Sequence, residues 1–416
     1  MTERTRIVVT GLGVVSCHGN DVDHFYNQLL AGKSGISTIT GFSTEDLGTT
    51  FAGEIRDFDP GEYMDKKQAR RVDKCISYAM VAGKKALESA GLNEETLKKV
   101  DLEKCGSVIG SGMGGMGVFV DGVQAMSKQG PKRVTPFFIP YILTNMGGAL
   151  FAMDLGFMGP NYSISTACAT GNHSIIAAAN HIALGDADVM VCGGVEAAIL
   201  PMGIAGFNAC KALSKRNDEP EKASRPWDKG RDGFVMGEGA GVLVLERLEH
   251  ALERGAPIVA EYLGHGVSCD AHHMTEPRPD GRGIAKCMFS ALDKAGLKPE
   301  DINYINAHAT STPAGDMVEV NALKRVIPDP SKVVMNATKS MIGHGLGAAA
   351  GIEAVVVAKA IQEGKVHPTI NLENPEPDLG FQTPTQAHEM DVKVAVSNSF
   401  GFGGHNGSII LGQYKD

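Results

Sequence analysis

Two stretches of this chain echo each other, and the echo constrains the fold more than any single motif. Ala86-Leu-Glu-Ser-Ala-Gly-Leu92 is similar to Ala291-Leu-Asp-Lys-Ala-Gly-Leu297, 205 positions further along a chain of 416 residues. Each reads as a helix end closed by glycine and followed by acidic residues and a strand-like run. A second echo pairs residues 175–185 with 354–364, both apolar helices ending in glycine, at a spacing of 179. Unequal spacings mean that the two copies carry different insertions. The pattern is that of a duplicated α/β unit. Its seam falls near Arg254-Gly-Ala-Pro257, giving halves at 1–255 and 256–416. No low-complexity linker separates them, so they should pack as one body.

In the first half, Asn161-Tyr-Ser-Ile-Ser-Thr-Ala-Cys168 runs from strand preferences into an alanine-rich helical segment. A cysteine at that junction lies beside unpaired N–H groups and the positive end of a helix dipole, which predicts a thiolate. Ala167, Ala169 and Gly171 leave its sulfur approachable. A random unpaired cysteine is more often a buried packing residue. Here the second half supplies partners for a nucleophile.

There, a strand at 303–306 delivers His308, followed by the hydroxyls of Thr310, Ser311 and Thr312 and a helix from about Asp316. The next strand, 333–338, opens into Lys339 and His344 ahead of an apolar helix, at the duplicated counterpart of the Cys168 region. Histidines at strand ends suit a ligand crevice. Alone, each would more often be a surface or hydrogen-bonded core residue; two at such junctions, with Lys339 beside one, form a constellation. A last strand ends in Phe400-Gly-Phe402-Gly-Gly-His405. Its turn is either an ordinary hairpin or a set of backbone donors for an oxyanion.

Two further glycine motifs, Gly11-Leu-Gly13 and Gly110-Ser-Gly112-Met-Gly-Gly115, read as turns after strands. The second fits G-x-G-x-x-G, yet neither has the βαβ context and distant acid of a dinucleotide site, so nucleotide binding is disfavoured. A net charge of −9 argues against nucleic acid as a partner of the whole molecule. Asp65–Lys74 is a local exception with five basic residues against two acidic ones, a pattern that a solvated helix face also explains. The eight cysteines have no metal-ligand spacing and read as reduced thiols. The opening Met-Thr-Glu-Arg-Thr-Arg is no secretory signal. Between Arg133 and Lys211 only Asp154, Asp186, Asp188 and Glu196 are charged, and Gly, Pro, Asn and Ser interrupt the run. It reads as core and subunit interface rather than a membrane span.

Ser165-Thr-Ala-Cys168, His308-Ala-Thr-Ser-Thr-Pro-Ala-Gly-Asp316, Thr338-Lys-Ser-Met-Ile-Gly-His344 and Asn398-Ser-Phe-Gly-Phe-Gly-Gly404 resemble the signatures of elongating β-ketoacyl-[acyl carrier protein] synthases. Arg225-Pro-Trp-Asp228 with residues 231–241 resembles a fifth, and together they span essentially the whole chain. The resemblance implies the thiolase fold, two halves each with a five-stranded sheet, stacked α-β-α-β-α, usually as a homodimer. It implies decarboxylative condensation of an acyl carrier thioester with malonyl carrier protein, through an acyl-Cys168. By the same resemblance, the N–H groups of Cys168 and Phe402 hold the oxyanion, and neutral His308 and His344 support the enolate. Lys339 tunes their charge, Glu319 supports them from behind, Thr310 and Thr312 contact pantetheine, and Met113 and Phe207 line the acyl pocket. Lys66, Lys67, Arg70, Arg71, Lys132 and Arg133 are the candidates for docking the carrier near the pocket mouth. The chemistry requires no cofactor, although Glu353 with Asn398 is a candidate site for a structural monovalent cation. Phe402, between Gly401 and Gly403, is also a candidate gate. Trp227 stands where many relatives carry Phe, and His405 where bacterial class II enzymes usually have Thr; His405 resembles the plastid class I form, which leaves class II, the first choice, against class I. The compartment implied is bacterial cytoplasm or plastid stroma.

Three other readings stand beside this one. A Cys-His hydrolase would need an orienting Asn or Asp and only one histidine. A thiolase would carry a second cysteine near the last glycine turn, but none lies beyond Cys287. A non-catalytic chain-length scaffold would lack Cys168.

Overall fold

The computed structural model describes residues 5–415, so the opening four residues of the stretch read above for a signal lie outside it. Nine strands form one continuous sheet. In spatial order they are Cys105–Ser111, Val189–Glu196, Gly239–Arg247, Ile7–Val15, Ala260–Cys269, His405–Gly412, Val394–Gly401, Tyr304–Asn306 and Val334–Asn336. This sheet is two sheets joined end to end. Counted within the second half, the strands lie in the order first, fifth, fourth, second, third. The first half has four strands in the order first, fourth, third, second, the same arrangement with the third strand of the set missing and with the same parallel and antiparallel pairings. Their edge strands pair through Ile7–Tyr262, Val8–Glu261 and Val9–Ala260.

Helix Lys74–Ser89 covers the outer face of the first half-sheet; Arg282–Ala295 and Asp316–Val326 cover that of the second. Between the sheets lie Thr170–Leu184 and Ala349–Glu363, packed on each other and on strands of both halves. The result is the expected α-β-α-β-α stack. The central helices must be apolar nearly all round, because they have a sheet on either side. Ile352, Val355, Val356 and Val357 are accordingly at most 1% exposed, and burial of each such side chain contributes about 1.5–3 kcal/mol.

Two expectations need correction. Gly11-Leu-Gly13 is no turn: strand Ile7–Val15 runs straight through it with a bulge at Val9/Gly11. The glycines serve close approach, since a Cβ at Gly13 would lie 1.9 Å from the Ala82 carbonyl oxygen of the covering helix. The first half-sheet also lacks a full third strand. Its place beyond Cys105–Ser111 is held by a single bridge between Ser107 and Asn161. Around that edge, Phe119, Met126, Phe137, Ile139, Met153 and Met158 are half or more exposed, and helix Met116–Gln129 buries no residue. Among the described residues no helix is long and apolar enough to cross a membrane.

Candidate active site

Cys168 sits in a short 3-10 turn, Ala167–Ala169, that feeds directly into helix Thr170–Leu184. Ala167 takes a left-handed φ of 48°, which turns the chain sharply and carries the next side chain to the head of the helix. The Thr170 hydroxyl holds the elbow by donating to the Ala167 carbonyl at 2.7 Å and accepting from Thr166 N–H at 2.9 Å. Ser399 Oγ donates to the Cys168 carbonyl at 2.7 Å, tying the elbow to strand Val394–Gly401.

The elbow opens into a cavity of about 720 Å³ lined by Cys168, His308, His344, Phe402, Thr310, Thr312, Met113, Phe207 and Glu319. His344 Nε2 lies 2.9 Å from Cys168 Sγ. Leu346 N–H donates to His344 Nδ1 at 3.4 Å, which assigns the ring proton to Nε2, facing the sulfur. Phe402 N–H also points at Cys168. The His308 and His344 rings meet edge to face at 5.4 Å, and Phe400 and Phe234 flank them at 5.6 and 5.2 Å. Burial, reinforced by the Lys339 charge, pushes both histidines well below the usual imidazole range, so both are neutral.

The thiolate expected of Cys168 is not the resting form. Burial pushes its thiol up to about 12, outweighing the Lys339 charge and the Phe402 N–H, which pull it down. A helix terminus favours the anion, but at 8% exposure the lost hydration dominates.

Lys339 Nζ donates to Glu353 Oε1 at 2.6 Å, a pair with side chains only 2% and 1% exposed. Glu319 accepts the N–H groups of His308 and Ala309 at 2.9 and 2.8 Å and so fixes the backbone that carries His308. Burial raises both carboxyls to about 7. Thr310 and Thr312 hydroxyls lie 3.0 Å apart on the cavity wall. Arg231 anchors their loop, donating to the carbonyls of Thr312 and Pro313, while Arg225 N–H donates to Ser311 Oγ. That anchorage accounts for Arg225 and Arg231 of the motif.

Both polar atoms of the Asn398 side chain have partners of their own. Its amide nitrogen contacts Glu319 at 3.4 Å and its oxygen accepts from Ser408 at 2.7 Å. Alternation along the strand turns Asn398 away from Ser397, the neighbour on the opposite face. Among the described residues the buried oxygens without a partner include Glu353 Oε2, Asn306 Oδ1 and Ser397 Oγ, and Asn306 is in register with Ser397. The docking candidates Lys66, Lys67, Arg70, Arg71, Lys132 and Arg133 are all exposed, but none lines the cavity. Lys66 is paired with Asp59 at 3.0 Å.

The cavity residues that escaped the sequence reading of the site include Glu196, Asp270 and Glu276. Glu196, 1% exposed, ends strand Val189–Glu196 at the cavity wall. A lone acid inside an apolar run was the available signal.

Residues 4–251 match the beta-ketoacyl synthase N-terminal domain family and residues 259–373 the beta-ketoacyl synthase C-terminal domain family. The chain is 58% identical over 413 residues to the 3-oxoacyl-[acyl-carrier-protein] synthase I, chloroplastic, of Arabidopsis thaliana, covering 99% of this chain and 87% of that one. It is 50% identical over 414 residues to 3-oxoacyl-[acyl-carrier-protein] synthase 2 of Vibrio cholerae, covering 98% and 99%. Among solved structures, a ketosynthase in complex with its type II polyketide acyl-carrier protein superposes with a TM-score of 0.92 at 32% identity, covering 99% and 100%.

Proposed function

The chain belongs to the β-ketoacyl synthase family, as a condensing 3-oxoacyl-[acyl-carrier-protein] synthase of class I/II, and on that premise we propose how its residues divide the work. The observation that carries the assignment is the convergence on one sulfur: His344 Nε2 at 2.9 Å and the Phe402 N–H both address Cys168 Sγ.

In the first half-reaction Cys168 Sγ attacks the acyl thioester carbonyl. The N–H groups of Cys168 and Phe402 hold the tetrahedral oxyanion, and the pantetheine thiol leaves with the proton that the cysteine gives up. Malonyl carrier protein then enters. Loss of CO₂ puts negative charge on its thioester oxygen, where two neutral imidazoles donating N–H bonds stabilise it better than water. The carbanion attacks the acyl carbon, the C–S bond to Cys168 breaks, and the thiolate takes a proton from solvent. Lys339 keeps the histidines neutral, and Thr310 and Thr312 receive the pantetheine arm. Met113 and Phe207, in an apolar cluster around Phe234 and Leu346, receive the acyl chain.

Phe402 serves also as a gate. Gly403 and Gly404, at φ of 89° and 76°, form the turn behind it. A Cβ on Gly403 would meet the His405 ring at 2.9 Å, so Gly403→Val should lock the turn and slow single-turnover acylation of Cys168. Unchanged acylation there would mean a fixed oxyanion donor. A structural monovalent cation near Glu353 and Asn398 is supported by the buried oxygens of Glu353, Asn306 and Ser397 that lack partners. The exposed apolar edge around Asn161 supports a homodimer in which a second copy covers it. The carrier protein is the macromolecular substrate, as the relatives' names indicate. Their chloroplast and bacterial origins, with eight unpaired thiols here, support a reducing stroma or cytoplasm.

The test supplies the purified protein with acyl carriers of several lengths and malonyl carrier, then identifies products and the mass of the Cys168 peptide. A 3-oxoacyl product and an acylated Cys168 are expected. Free fatty acid without malonyl consumption would mean a hydrolase instead.

A further inference from the structure

Glu196 is a buried acid of the cavity wall to which the mechanism gives no task. Its two oxygens accept four hydrogen bonds from two separate segments. Oε1 accepts from Ser111 Oγ at 2.8 Å and from Met113 N–H at 3.2 Å; Oε2 accepts from Gly112 N–H at 3.0 Å and Gly347 N–H at 3.1 Å. Ser111 Oγ itself accepts from Gly114 N–H at 2.9 Å, so its own proton is free to go to Glu196. Each of these four partners is therefore a donor, and the cradle is built for a carboxylate.

Each segment leads to a functional group. Residues 111–114 carry Met113 on the acyl wall, and Gly112 accepts from Ser165 Oγ on the approach to Cys168 at 3.1 Å. Gly347 follows Leu346, whose N–H meets His344 Nδ1 and whose φ of 53° sets that turn. The glycines make room for the acid: a Cβ on Gly112 would lie 2.7 Å from Oε2, and one on Gly347 2.6 Å from it.

We infer that Glu196 is a positioning residue that clamps the Met113 loop to the Leu346–Gly347 turn, fixing at once the acyl wall and the orientation of His344. The inference rests on the roles given above to Met113 and His344. An amide at this position must turn its NH₂ towards donors on one side, so Glu196→Gln keeps the size and breaks half of the clamp. Gly347→Ala leaves the acid intact and pushes it off one arm.

Two readouts follow, in the full-length protein. Decarboxylation of malonyl carrier protein, which reports on His344, should fall by up to about 10²-fold in both variants, through kcat rather than KM. The acyl-length profile of Cys168 acylation, followed by mass, should shift in Glu196→Gln as the Met113 loop relaxes. Thermal melting separates these effects from unfolding; if Glu196→Gln does not fold, Gly347→Ala alone decides. Parental decarboxylation and an unchanged length profile in a folded variant, with at most a lower Tm, would overturn the clamp. If the parent itself fails to condense, the functional reading fails instead, so the two failures are distinguishable.

Discussion

The two halves of the molecule carry the same elbow and use it for opposite purposes. At a constant spacing of 179, the 3-10 turn Ala167–Ala169 corresponds to Leu346–Ala348, and helix Thr170–Leu184 to Ala349–Glu363. Ala167 and Leu346 share a left-handed φ, 48° and 53°, and Gly185 and Gly364 close both helices in the αL conformation. In the first copy the residue after the strained position is Cys168. In the second it is Gly347, whose N–H serves a carboxylate, while His344 stands three residues earlier and reaches across to Cys168. Duplication supplied two similar sharp turns that meet at the heads of the two central helices. Divergence made one a nucleophile and the other its electrostatic partner.

The most severe way to break this asymmetry is Cys168→Ala. Alanine suits a helix start, so the fold should persist while condensation falls by on the order of 10⁶-fold, the scale of nucleophile removal elsewhere. Malonyl decarboxylation should survive in part, because it belongs to the other elbow. Acyl label found on Cys192 or Cys210 would reject the division of labour.

Next in size are the histidines. His308→Ala or His344→Ala removes one donor to a developing anion, which typically costs about 10²–10³ in rate. The loss should appear in decarboxylation. Acylation of Cys168 should suffer more in His344→Ala than in His308→Ala, because only His344 touches a sulfur that burial keeps as a thiol. Equal acylation rates in the two variants would show that the sulfur needs no help from the second elbow.

Lys339 sharpens the comparison through pH. Burial and Lys339 both lower the two histidine pKa values from 6.5, so the neutral rings resist protonation well into the acid range. The sign follows: the unfolded chain takes up these protons first, so stability falls as pH drops below about 6.5. Lys339→Met alone leaves Glu353 buried without its cation and should destabilise by about 3–5 kcal/mol. The double variant Lys339→Met with Glu353→Gln should restore much of that and move the acid limb of the decarboxylation profile to higher pH. An acid limb that stays in place would remove Lys339 from the tuning of the rings.

What the sequence disclosed and what it hid divide along the same physical line. The elbows, Cys168, the histidines and the Phe402 turn are local: a strand, a sharp junction and a helix can be read from neighbouring residues. Features created by packing between distant segments were not legible. Glu196 meets donors 84 and 151 residues away, so its cradle leaves no local pattern. Gly11 and Gly13 look like turn residues because the helix pressing on them lies some seventy residues on. The thiol state of Cys168 depends on how much water the closed cavity admits.

The smallest effect concerns the surface, where the halves differ in charge. All six candidate docking residues lie in the first half, while Asp270 and Glu276 of the second line the cavity. Among the described residues Lys67, Arg70, Arg71, Lys132 and Arg133 have no ion-pair partner in the same chain. They are therefore available to an acidic carrier, although the molecule as a whole is negative. Exposed ion pairs contribute only about 0.2–1 kcal/mol each, so one substitution should be nearly silent. Lys67→Glu, Arg70→Glu and Arg71→Glu together should raise KM for carrier substrates severalfold and flatten its dependence on salt, with kcat preserved. A short pantetheine thioester without the protein should react at parental rates in the triple variant. Should that small substrate lose activity equally, the basic cluster acts on the fold or the chemistry, and the carrier docks elsewhere.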